Sequence, residues 1–235
     1  AKAMVDAAKK LGREVSIQIL ERDDCEKLGM GAYLGVAQGS AQPPKLVHCT
    51  YKPANAKSRL CLVGKGVTFD SGGYSLKPSE GMMGMKLDMH GAATVLGAFQ
   101  AIAALELPIE VHAITALTEN MIGPAAYRLG DVLTASNGKT IEINNTDAEG
   151  RLLLSDGVSY AARVLGADTI FDAATLTGAQ MVATGRNHAA IVSNDEGLED
   201  TVIAAAYASG DLVHPLPFAP ELYQSEFASK VADMK

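Results

Sequence analysis

Asp147 and Glu149 stand two residues apart in NNTDAEGR, next to Gly150. Acidic side chains held that close repel one another unless a cation lies between them. Asp70 and Asp88, in the glycine-containing stretches GKGVTFDSGG and LDMHGAA, would add further oxygen ligands, and Lys65, Lys77 and Arg151 are basic neighbours of the same stretches. Such a set could hold two divalent ions roughly 3.5–4 Å apart, and carboxylate-rich sites suit manganese, magnesium and zinc rather than soft metals. A second reading stands beside this one. Asp and Glu at strand–helix junctions act as caps, and Asp147 or Glu149 would favour the positive end of a helix beginning at Arg151. Lys65 and Lys77 would then only neutralise acidic loops, since lysine ligates a metal only after its pKa has been strongly lowered.

The elements that must position these residues are marked off by glycine and polar clusters. Residues 2–11 are predicted as a helix capped by Gly12, VSIQIL at 15–20 as a strand, and 23–37 as a helix with internal glycines. LVHCTYK at 46–52 and SRLCLVGK at 58–65 are β-rich and are expected to pair as neighbours. A helix apolar almost all round, buried between layers, is expected from Gly91 to Leu107 and ends at Pro108. Strands follow at 110–120 and 139–145, then a helix at 151–166 and a buried strand at 168–178. This alternation predicts an α/β fold, a mixed, largely parallel central sheet flanked by helices. In such sheets ligands sit beyond the carboxyl ends of strands, and the exits GKGVTFDSGG, TENM, NNTDAEGR and TLTG carry the polar residues.

Composition narrows the function classes. The 235 residues are 48% hydrophobic and 20% charged, enough for a packed core. With 27 acidic and 20 basic residues the net charge is −7, which argues against nucleic-acid or anionic-membrane partners. No apolar run is long enough for a membrane helix, and Cys25, Cys49 and Cys61 suit buried thiols in a reducing, intracellular compartment. Phosphate loops fail, because Arg59 and Leu133 stand where the first glycine is required, and the dinucleotide fingerprint at Gly29 fails at Leu34. The histidines His48, His90, His112, His188 and His214 are scattered singly and read as structural or surface residues, with His90 alone near the acidic stretches.

The stretches VGKGVTFDSGG (63–73), Lys77, DMHGAA (88–93) and above all NNTDAEGRLLLSDG (144–157) resemble the leucyl aminopeptidase (cytosol aminopeptidase) family of dinuclear metallo-exopeptidases. LGMGAYLGVAQGS (28–40), TLTGA (175–179) and the final GDLVHPLPFAPELYQSEFASKVADMK extend the likeness through the chain, the last resembling the aminopeptidase-like branch. The resemblance implies a metallo-aminopeptidase catalytic domain over 1–235, without the family's N-terminal domain and cut short at its C-terminus. It implies two divalent ions, zinc or manganese with magnesium as a third option. One would be held by Lys65, Asp70, Asp88 and Glu149, and the other by Asp70, Asp147 and Glu149, with Asp70 and Glu149 bridging. Water activated between the ions would attack the first peptide bond of substrates with a free N-terminus. Lys77 would stabilise the oxyanion, Arg151 would anchor a bicarbonate acting as general base, and Met85 and Thr175 would line the pocket for the first side chain. It further implies a cytoplasmic protein, hexameric in full-length form. His90 and Tyr74 depart from the usual motif and bear on substrate preference. The alternative is a non-catalytic relative serving as a binding, regulatory or assembly protein, against which the retained ligand set argues.

Overall fold

The computed structural model describes Asp6 and residues 15–235. The helix expected over 2–11 therefore lies, Asp6 apart, outside the described residues. By its contacts the chain divides into two compact units, Ala1–Thr175 with Ser229–Lys235, and Leu176–Ala228.

The first unit is built on strands β1 (Val15–Leu20), β2 (Lys45–Tyr51), β3 (Arg59–Asp70), β4 (Glu110–Asn120) and β7 (Thr169–Ala173), in the order β1-β2-β4-β3-β7. β3 is parallel to both β4 and β7, whereas β2 is antiparallel to β4 and to β1, so the sheet is mixed as expected. β4 lies at its centre and is buried at every position except Glu119, which explains its continuous apolar run. β2 and β3, expected to be neighbours, are instead separated by β4. A parallel pair needs a crossover, and the helix between β3 and β4 supplies it, leaving β2 to take the other edge of β4.

The helices are α1 (Arg22–Lys27), α2 (Gly31–Ala37), α3 (Ser79–Met82), α4 (His90–Ala104) and α5 (Glu149–Arg163). The single helix expected over 23–37 is broken into α1 and α2, because Gly29 adopts φ 70° and Met30 turns fully into the core. α4 is not buried all round: Ala92, Val95, Leu96 and Phe99 face the sheet while Ala93, Thr94 and Ala98 are exposed. Small alanines on the solvent side had imitated a buried surface. α4 packs on Val47, Leu62, Val111 and Ala113, and α2 and α5 cover the opposite face on Leu46, Cys61, Val63 and Ile114.

The strand expected at 139–145 is shorter and lies outside the main sheet. β6 (Thr140–Glu142) pairs antiparallel with β5 (Val132–Thr134), because the intervening turn through Gly138 folds the chain back on itself. β7 is a half-buried edge strand rather than a buried one, since among the described residues only β3 flanks it.

The second unit contains α6 (Ala179–Thr184), β8 (Ala189–Ile191), α7 (Glu196–Ser209), β9 (Val213–Pro215) and α8 (Pro220–Tyr223). β8 and β9 run parallel, and Asp195 caps α7 by accepting from the Leu198 amide at 2.7 Å. All three cysteines are buried and unpaired, and among the described residues no helix is long and apolar enough to cross a membrane.

Candidate metal centre

Parallel strands deliver their carboxyl ends to one side, and the acidic residues meet there. β3 carries Lys65 within its length and Asp70 at its end. A 3-10 turn, Met85–Leu87, brings Asp88 to the start of α4, and a second, Thr146–Ala148, leads directly into α5, whose first residue is Glu149. Consecutive Gly72 and Gly73 take φ 85° and 64°, curling the chain back after Asp70. A Cβ on Gly72 would stand 2.9 Å from Asp147 Oδ1 and 2.5 Å from the Ser75 carbonyl oxygen, so the turn also needs glycine for space.

Two ammonium groups thread the carboxylates. Lys65 Nζ lies 2.9 Å from Asp88 Oδ2 and 2.8 Å from Glu149 Oε1, and donates to the Thr175 carbonyl at 2.9 Å. Lys77 Nζ lies 2.9 Å from Asp70 Oδ2 and 2.6 Å from Asp147 Oδ1. Asp70, Asp147 and Glu149 each turn one oxygen into a common space, with these atoms within 4.8 Å of one another. Lys65, Asp70, Asp88 and Glu149 are all buried, and Asp147 is partly so.

The donor set fits divalent cations. Asp88 Oδ2, Asp147 Oδ1 and Glu149 Oε1 are buried against lysine ammoniums at 2.6–2.9 Å, and Glu149 Oε2 is buried with no hydrogen-bond donor. Buried carboxylate oxygens without donors are costly unless a cation compensates them. Four carboxylates against two ammoniums leave a formal excess of two negative charges. Burial pushes the Glu149 carboxyl up to about 7, with Lys65 opposing and Asp70 and Asp88 adding. Burial likewise raises Asp88 against the pull of Lys65. Burial disfavours both ammoniums, but the adjoining carboxylates outweigh it and raise the pKa of Lys65 and of Lys77. That sign belongs to lysine as the counter-charge, and a divalent ion among the same oxygens would oppose it.

The helix-cap reading fails for Glu149, whose carboxylate meets Lys65: α5 has no side-chain cap, and Asn145 caps the preceding 3-10 turn by accepting from the Asp147 amide at 2.8 Å. Arg151 is exposed on the first turn of α5. Met85 is half-buried in the turn leading to Asp88, and Thr175 is exposed, its hydroxyl donating to Asp88 Oδ1 at 2.7 Å. Tyr74 and His90 are exposed beside the centre. Sequence reasoning gave no role to Asn120, Thr146 and Tyr127, which hold together the turns carrying Asp70 and Asp147; the signals were the positions of Asn120 in the strand exit TENM and of Thr146 in NNTDAEGR. It also read His48 and His112 as isolated, whereas His48 Nε2 lies 2.8 Å from His112 Nδ1 in the core.

The chain matches the description "Cytosol aminopeptidase family, catalytic domain" over residues 1–235. It is 53% identical over 220 residues to a probable cytosol aminopeptidase of Gloeobacter violaceus, covering 93% of this chain and 43% of that protein. A probable aminopeptidase of Homo sapiens is 48% identical over 228 residues, covering 96% of this chain and 44% of the relative. Among solved structures, leucine aminopeptidase of Caenorhabditis elegans superposes with a TM-score of 0.96 at 42% identity, over 100% of this chain and 47% of the other. The chain thus spans about half or less of the length of the relatives it matches. Identity at this level along nearly the whole chain, on one shared fold, places it in the cytosol aminopeptidase family.

Proposed function

We propose that this centre holds two divalent metal ions, zinc or manganese with magnesium as a third option, and hydrolyses the N-terminal peptide bond of peptides. The observation that carries the proposal is Glu149: its carboxylate is buried beside Asp70 and Asp147, with Oε1 on the Lys65 ammonium and Oε2 without a hydrogen-bond donor. Bound metal would polarise the scissile carbonyl and lower the pKa of water towards about 7. Lys65, Asp70, Asp88, Asp147 and Glu149 would hold the ions. Lys77, the less buried of the two lysines, would donate to the carbonyl oxygen as negative charge develops on it. Asp88 would face the substrate's free α-ammonium, which explains restriction to the N-terminal residue. Arg151, exposed on the helix bearing Glu149, would hold bicarbonate as the proton acceptor. Met85 would contribute to the pocket for the first side chain, with Thr175 at its edge. The names of the relatives support a cytoplasmic setting, and a hexameric full-length protein belongs to the same reading.

Elemental analysis of the purified protein, followed by hydrolysis of a leucyl substrate with added manganese or zinc, tests this. Two bound ions and metal-dependent release of the leucyl group are expected. A folded protein that binds no metal and releases nothing would refute it.

A further inference from the structure

Asn120, the last residue of β4, is completely buried, with its side-chain N–H groups and its backbone carbonyl engaged beside Asp70. Its Nδ2 donates to Asp70 Oδ1 at 2.8 Å and to the Thr146 carbonyl at 3.0 Å. Its own carbonyl accepts from the Ser71 amide at 2.9 Å and the Ser71 hydroxyl at 2.8 Å. The amide orientation is determined by chemistry, since both partners of Nδ2 are acceptors and a flipped Oδ1 would face them. Oδ1 is buried with no partner. A core residue selected for stability alone would not leave a buried amide oxygen unsatisfied. The residue is better explained by where its two N–H bonds point.

Those bonds tie the Asp70 carboxylate itself to the Thr146 turn, beside the contacts Thr146 makes with Gly72 and Ser75. Asp70 Oδ1 receives the Asn120 amide and also the Gly72 amide at 2.9 Å, so that oxygen is occupied, while Oδ2 faces Lys77 Nζ. Thr146, one residue before Asp147, is gripped through its carbonyl by Asn120 and by the Tyr127 hydroxyl at 2.6 Å. Its own hydroxyl donates to the Gly72 carbonyl at 2.7 Å and accepts from the Ser75 amide at 2.7 Å.

We propose that Asn120 is a positioning residue of the metal centre: its side-chain amide ties the Asp70 carboxylate to the Thr146–Ala148 turn and leaves Asp70 Oδ2 as the oxygen offered to metal. This rests on the dinuclear reading above. Residues that orient metal ligands typically contribute about 10–100-fold to metal affinity.

The test compares manganese(II) affinity, measured by calorimetry, in the unaltered protein, Asn120→Ala and Tyr127→Phe. Asn120→Ala should weaken manganese binding about 10–100-fold with the fold retained by circular dichroism. Tyr127→Phe removes a separate donor to Thr146 without touching Asp70 and should cost less than about threefold, because both N–H bonds of Asn120 remain. A folded Asn120→Ala protein binding manganese within about twofold of the unaltered one would overturn the proposal. Nuclear magnetic resonance of the unaltered, metal-free protein adds an arm independent of folding in the variant. Slow exchange of both Asn120 side-chain amide protons is expected, and rapid exchange would overturn the proposed tie. Failure of the unaltered protein to bind manganese would instead remove the dinuclear reading, and the exchange measurement would still report whether Asn120 grips the two turns.

Discussion

Acidification should unfold this protein through a group remote from the metal centre. His48 on β2 and His112 on β4 are buried between the sheet and α5, His48 Nε2 lying 2.8 Å from His112 Nδ1. Around them stand the Thr50 hydroxyl at 3.2 Å from both rings, the Tyr160 hydroxyl of α5 at 3.4 Å from His48 Nδ1, and Glu110 Oε1 at 3.0 Å from His112 Nε2. Although burial pushes the Glu110 carboxyl up, Arg59, His112 and Lys52 hold it down at about 2, so it stays ionised and fixes an N–H on His112 Nε2. His112 Nδ1 must then accept from His48 Nε2–H. Burial, followed by the neighbouring His112, lowers His48 from 6.5 to about 4. A lowered histidine pKa means that the unfolded chain binds the proton first, so this stability is present above about pH 6.5 and is lost as the pH falls towards 4. Between pH 7 and pH 5 the loss is about 2 kcal/mol from His48 alone. Urea unfolding of metal-free protein at pH 7 and pH 5, in the unaltered chain and in His48→Gln, measures it directly. The variant should be less stable at pH 7, but its loss on acidification should be smaller by about 2 kcal/mol. Equal losses in the two proteins, within about 0.5 kcal/mol, would refute the assignment of the acid response to His48.

Gly150→Ala would place a Cβ 2.8 Å from Cδ, Cε and Nζ of Lys65. On the proposed two-metal reading it should lower metal content in elemental analysis while the circular dichroism spectrum is retained, because the displaced group is the Lys65 side chain rather than core backbone. Asp156→Ala removes a fully buried carboxylate that accepts from the Tyr33 amide at 2.8 Å and the Ser136 amide at 2.6 Å. Leaving two amide donors without their acceptor should cost about 2–4 kcal/mol in denaturant unfolding. Lys77→Ala should reduce leucyl-substrate turnover by about 100-fold or more while metal remains bound, as loss of an oxyanion donor does; turnover within about threefold would exclude that role.

What could be read from the sequence was what local spacing determines. Asp147 and Glu149 share a strand–helix junction, so their proximity needs no knowledge of the fold. Asp70 required only the rule that parallel strands bring their exits to one side, whereas Asp88 arrives from the 3-10 turn before α4. The misread features depend on register or on strand order. His48 and His112 meet because Thr50 pairs with His112 across an antiparallel ladder, which sets His48 on the diagonal of the same face. Nothing near either histidine in the chain announces the other. β2 and β3 are consecutive strands but not neighbours, because the crossover through α4 brings β4 between them. Asn120 looks like an ordinary strand-end residue until Thr146 is folded against it.

α5 links the two buried polar clusters. Its first residue, Glu149, meets Lys65; Asp156 in its middle holds the amides that begin α2 and follow β5; and Tyr160 near its end reaches His48. Leu152, Leu153 and Leu154 fill the intervals against the sheet. A helix fixed at three points cannot slide or rotate to accommodate a change at one of them without opening the others. The position of Glu149 in the metal centre is therefore set by contacts along the whole helix as well as by Lys65. Substitutions at Asp156 should consequently weaken manganese binding in proportion to their loss of stability, whereas Asn120→Ala should weaken it by more than its stability loss accounts for. Plotting manganese affinity against unfolding free energy for both variants separates a residue that supports the fold from one that aims a ligand.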